Sequence, residues 1–284
     1  MTSTPKGLFS PSQTNTALYV QLHEAGRGIG EIRRIQQAYR IACMMFNGRY
    51  RKTGRPFICH AVGAASSVAY FGGDVDQVLA AMFHAAYDCG EYPDGRSGRQ
   101  SAAHRRWLEG HIGAEAERLV ARYDAFGFDK GEPERLAATN VRPGDEDLLF
   151  LALAHEVDDL ADGGLVVAPK YGASLASRVA ACALLARRLD REDLASAFEG
   201  YGLYYEGMGW ASALQGEKLE GFRIAPNFRN YCRLLRARWR GARHRPDLPR
   251  RAVALAGHVL PREHPAGAHG WRLSQRITRR GGRR

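Results

Sequence analysis

Between Arg51 and Asp88 the chain reads RKTGRPFICH, then an apolar run to a Gly72-Gly73 stop, then a second apolar run that ends FHAAYD. Val62, Ala65, Val68 and Ala69 recur at three- to four-residue steps, as do Val75, Val78, Leu79, Met82 and Phe83. That is the period of an amphipathic helix and not the two-residue alternation of a strand. Pro56 fits a first helical turn, and Asp74 is placed to cap the second helix, predicted to run through VDQVLAAMFHAAYD. The stretch therefore demands two packed helices across a short turn, each carrying one histidine, His60 and His84.

The rest of the body has the same character. The spacing predicts helices over Thr14 to Glu24, Gly30 to Phe46, Ala102 to Gly110, Ala114 to Phe126, Pro133 to Ala138, Asp145 to Ala161, Lys170 to Leu189 and Arg191 to Leu203, with no strand pattern of comparable length. The expected fold class is all-α. Cys89 to Gln100, rich in glycine and proline, reads as a loop long enough to form a lid or mouth. The segment DEDLLFLALAHEVDDLA is apolar enough to be buried, yet holds His155, Glu156, Asp158 and Asp159, and buried helices rarely carry so many ionisable groups. Prolines at 246, 249, 261 and 265 set a boundary near Arg240. The division is an N-terminal segment 1–29, a helical domain 30–240 and an irregular Arg/Pro-rich tail 241–284.

The tail explains the net charge. Of the chain's +11, residues 233–284 hold +13 through 15 arginines against Asp247 and Glu263, leaving −2 for residues 1–232. Blocks of like charge are usually solvated, so the tail reads as flexible, with weak nucleic-acid contact as a second role open to it. No run approaches the ~20 apolar residues of a membrane span, and the first residues lack a signal-peptide pattern, which points to a soluble, cytoplasmic protein without a membrane partner. Five widely spaced cysteines with no CxxC pair read as reduced, packed thiols.

RKTGRPFICH, from Arg51 to His60, resembles the R-K-S-G-x-P-Y-I-x-H block that opens the hydrolase domain of RelA/SpoT-type alarmone enzymes, within the HD superfamily of metal-dependent phosphohydrolases. A second block in that family is an apolar helix ending in His-Asp followed by Glu-Asp, and here AAMFHAAYDC spans Ala80 to Cys89. The third, L-x-L-A-D-R-L-H-N, is matched by LALAHEVDD from Leu151 to Asp159. Over roughly Gln36 to Leu189 the resemblance implies an HD-domain-like helical bundle. Carried over, the family's metal ligands fall on His60, His84, Ala85 and His155. Alanine cannot ligate, and an imidazole stands where the last carboxylate would be, so the implied shell has three nitrogens. Such a shell suits zinc or iron better than the harder manganese.

The resemblance further implies a catalytic role for Asp88, one of the pair that activates water in the hydrolases, with Glu156 as a second catalytic candidate. Asp159 or Asp158 could restore an oxygen ligand. Arg51, Lys52 and Arg55 match the substrate-binding segment in part, and with arginine at 55 in place of the usual glutamate they favour an anionic ligand. Plainer roles remain open: Asp88 as a cap or ion-pair partner, the arginines as surface charge, the acids beside His155 as a solvated helix face. Three readings follow. One is a divergent HD enzyme acting on a small phosphorylated or carboxylated metabolite through a His-rich metal site, with an iron oxygenase of specialised metabolism as a variant. Another is a metal-free nucleotide or small-molecule binding module, and the last a nucleic-acid partner acting through the tail.

Overall fold

The computed structural model describes residues 8–51, 53–97, 100–128, 131–139, 141–163 and 175–207, and the Arg-rich tail lies outside this set. Among the described residues the chain is all-α, with ten helices. They are α1 (Asn15–Glu24), α2 (Ile29–Met45), α3 (Phe57–Tyr70), α4 (Val75–Met82), α5 (Ala102–Ile112), α6 (Ala114–Phe126), α7 (Glu132–Ala138), α8 (Glu146–Ala161), α9 (Leu175–Arg188) and α10 (Glu192–Glu206). None of these is long and apolar enough to cross a membrane.

Local chemistry sets the helix boundaries. The α3 helix ends at Gly72, whose φ of 78° is open to glycine, and the Gly73 amide returns to the Val68 carbonyl at 2.8 Å. Asp74 then caps α4, its carboxylate accepting from the Gln77 amide at 2.8 Å while the Gln77 side chain accepts from the Asp74 amide. Between α9 and α10 the same return bond, from the Arg191 amide to the Ala186 carbonyl, closes around Asp190, which takes the left-handed conformation at φ 56°.

The α3 helix is the centre of the bundle, buried along almost its whole length and packed against α4 on one side and α8 on the other. The α9–α10 hairpin closes the far side of α8. One core joins them, with Phe46, Phe83, Leu79, Leu149, Leu153 and Val157 fully or almost fully buried.

One expectation needs correction. The α4 helix stops at Met82 and does not continue through Asp88; residues 83–89 form consecutive turns. Apolar periodicity persists past the end because these turns are buried as well. His104 on α5 is 5% exposed. It shares a stripe with Leu108 and Ile112, stacks on Tyr92 at 3.9 Å, and meets Asp94 through Nε2 at 3.0 Å.

Candidate metal centre

His60 lies one turn into α3, His155 lies on α8, and His84 sits in the turn just beyond α4. Three separate elements thus deliver one imidazole each. The Nε2 atom of His60 is 3.0 Å from that of His155 and 3.3 Å from that of His84, and the rings of His84 and His155 are 4.5 Å apart. The three Nε2 atoms converge on one point.

Each ring is held from behind at its Nδ1. Helix α4 ends leaving late carbonyls without an i+4 amide, and His84 Nδ1 donates to one of them, Ala81, at 2.8 Å. His60 Nδ1 lies 2.7 Å from an oxygen of Asp158, and His155 Nδ1 is 3.3 Å from the Tyr123 hydroxyl on α6. Burial pulls all three histidines well below their usual range, His84 to about 4, with the Arg51 charge adding to this at His60. The rings are therefore neutral at pH 7, with one N–H each.

That proton count decides what the cluster can do. A carbonyl can only accept, so the His84 proton is on Nδ1 and its Nε2 carries a lone pair. At His60 Nδ1 two neighbours compete: the Asp158 carboxylate at 2.7 Å favours a proton there, whereas Arg51 Nη1 at 2.8 Å can only donate and favours a lone pair. With the His60 proton on Nδ1 toward Asp158, two lone pairs face each other across the 3.3 Å between His60 Nε2 and His84 Nε2. A cation at the point of convergence turns this repulsion into attraction. Inward nitrogens backed by outward partners are also how proteins orient histidines toward a metal.

The acids at the end of α8 are arranged differently. Asp158, Asp159 and Asp162 crowd a helix C-terminus, where the macrodipole disfavours negative charge. Two arginines offset them. Gly54 (φ 81°) turns the chain so that the Arg51 amide donates to the Arg55 carbonyl at 2.9 Å and both arginine side chains reach α8 or the turn after it. Arg51 grips Asp159 with both terminal nitrogens, one at 2.9 Å. Arg55 reaches Asp158 at 2.8 and 2.9 Å, Asp162 at 2.7 Å, Gln13 at 2.5 Å and the Cys59 carbonyl at 3.1 Å. Burial and the Arg55 pairing act in opposite senses on Asp158 and leave its carboxyl raised to about 6. At Asp159 burial is outweighed by Arg51, which holds that carboxyl well below the usual range. Gly63 makes this packing feasible, since a Cβ there would lie 1.9 Å from an Asp158 oxygen.

The site residues expected from sequence thus divide. His60, His84 and His155 come together, with ligand atoms all within 4.8 Å of one another. Asp159 joins two neighbouring groups at the same spacing, with His60 and Asp158 and with His155 and Glu156, while its oxygens are held by Arg51. Glu156 faces Arg178 in a pair buried on both sides, with two contacts, one at 2.9 Å. Asp88 is exposed and lies in the turns past α4, so the helical i, i+4 geometry expected for it with His84 does not apply. Arg51 and Arg55 point inward to aspartates, and Lys52 lies outside the described residues. Tyr123 was not singled out from sequence. It continues the buried Ala116, Leu119 and Val120 stripe of α6 at helical spacing, and a polar-tipped aromatic on a core-facing stripe is the signal that would have found it.

Fold and cluster together define an all-α protein with a His/Asp group able to hold a metal ion. Residues 46–127 match a domain of unknown function, DUF6817, a span that includes His60 and His84 and stops short of His155. No curated protein matches the chain.

Proposed function

We propose that this protein is a divergent HD-type metal-dependent enzyme acting on a small phosphorylated or carboxylated metabolite. The observation that carries the reading is the convergence of three neutral imidazole Nε2 atoms, each ring held from behind by a carboxylate, a carbonyl or a phenol. His60, His84 and His155 would hold the ion. A divalent metal so bound supplies Lewis acidity and lowers the pKa of a coordinated water. The Ala81 carbonyl fixes the His84 tautomer with its Nε2 lone pair inward, and Asp158 and Tyr123 hold the other two rings in place from behind. Asp88, exposed beyond His84, is the proton acceptor in this reading, since Glu156 is committed to Arg178. The choice of an anionic substrate rests on the resemblance of the Arg51–His60 block to RelA/SpoT-type hydrolases, because Arg51 and Arg55 are engaged with aspartates.

Ala85, where the HD pattern has a ligating aspartate, favours a second reading as a metal-free binding module. One experiment separates the two. Protein loaded with zinc, manganese or ferrous iron is offered guanine nucleotides and sugar phosphates, with phosphate release and thermal shift read in parallel. Turnover that a chelator and His155→Ala both abolish supports the enzyme. Stabilisation without turnover supports the module, and a flat panel in both readouts sinks both.

A further inference from the structure

A second concave site lies away from the histidines. Arg122 and Tyr123 are neighbours on α6, yet they reach residues ten apart in the chain: Arg122 donates to Asp145, the N-cap of α8, at 2.8 Å, and Tyr123 meets His155 within it. On the Arg122 side, α6, α7 and the start of α8 enclose a cavity of about 390 Å³. Its apolar lining includes Phe126, Leu136, Val141 and Leu148. Three arginines reach the same cavity, Arg122, Arg135 and Arg142, against two acids, Glu132 and Asp145.

The charges do not cancel. Arg122 is paired with Asp145, and Arg135 chelates Glu132 through two nitrogens, one at 2.8 Å. Both acids are thereby neutralised, and among the described residues Arg142 has no ion pair. A cavity of this size, half of its lining residues apolar and with one surplus guanidinium at its edge, suits a ligand with an apolar body and one negative group. The surplus is not a general property of the body, since residues 1–232 carry −2 overall.

We propose that this cavity binds a small amphipathic monoanion, a medium-chain or aromatic carboxylate, with Arg142 as its anchor. The site is independent of the histidine cluster, and Tyr123 ties α6 to His155 between them.

Octanoate is the probe, titrated calorimetrically into the full chain beside acetate, which lacks the tail, and octylammonium, which reverses the charge. The wild type should bind octanoate and neither control. Arg142→Gln should weaken binding at least about tenfold, the usual scale for a charged hydrogen bond. Ala125→Phe, at an exposed position on the lining, should block it by filling the space. His84→Ala should leave it unchanged. No octanoate binding, equal binding of octylammonium, or wild-type affinity in both Arg142→Gln and Ala125→Phe would overturn the proposal.

Discussion

The Nε2 atoms of His60 and His155 lie 3.0 Å apart although 95 residues separate them in the chain. Two buried, neutral imidazoles nose to nose can share one hydrogen bond at most, and His84 at 3.3 Å brings a further lone pair into the same space. The arrangement is intelligible as a cation site whose three donors arrive on α3, on α8 and in the turn after α4.

If Tyr123 orients His155, its hydroxyl tunes the site without touching the ion. Tyr123→Phe keeps the ring on α6 and removes only the partner of His155 Nδ1. Cobalt affinity, followed by absorbance, should fall by about 10–100-fold, the usual cost of losing an outer-shell partner. Near-ultraviolet circular dichroism should show the fold retained.

The packing of Gly63 against Asp158 and Arg55 leaves no room for a methyl group. In Gly63→Ala the new Cβ would meet an Asp158 oxygen at 1.9 Å and an Arg55 nitrogen at 2.7 Å. Overpacking at this junction should cost about 1–3 kcal/mol in urea unfolding and weaken metal binding at the same time, because Asp158 is the group behind His60. An unchanged urea midpoint would contradict the packing described.

Glu156 and Arg178 are each 3% exposed in their side chains. Arg178→Met removes the cation that faces this buried carboxylate, at an expected cost of about 3–5 kcal/mol. The double variant with Glu156→Gln should recover part of that loss, which a double-mutant cycle in urea would measure.

The metal-free protein should lose stability in mild acid. His84 has its folded value depressed from 6.5 to about 4, and burial holds His60 and His155 well below 6.5 as well. Between those limits the unfolded chain binds protons that the native state refuses, so stability falls as pH drops from about 6.5 toward 4, by up to about 1.4 kcal/mol per pH unit per histidine. Asp158 works in the opposite sense, since its folded value is raised from 3.8 to about 6 and its protonation favours the native state across that window. Three histidines against one aspartate leave a net loss. Urea midpoints at pH 7, 5.5 and 4.5 with chelator present test the sign.

The helical fold was readable because apolar residues repeat every three to four positions through α2, α3, α4 and α8, and because Gly72-Gly73 and Asp74 punctuate them. His60, His84 and His155 stood out as histidines on apolar helical pattern. Less was legible where the answer depends on which side chains meet across the bundle. The end of α4 at Met82 is hidden because Phe83, Ala86 and Tyr87 stay buried after the helix stops. Arg51 and Arg55 looked free for an anionic ligand because their partners, Asp158, Asp159 and Asp162, lie more than a hundred residues away. Glu156 looked available for catalysis because its distant partner, Arg178, carries no local mark. Tyr123 met His155 only through the crossing of α6 and α8.

The central claim is best tested by metal content. Protein purified without chelators, or reconstituted with zinc or cobalt and desalted, should carry close to one equivalent per chain by elemental analysis. His60→Ala, His84→Ala and His155→Ala should each lose most of it. No near-stoichiometric metal in the wild type, or as much in the three variants as in the wild type, would contradict the account.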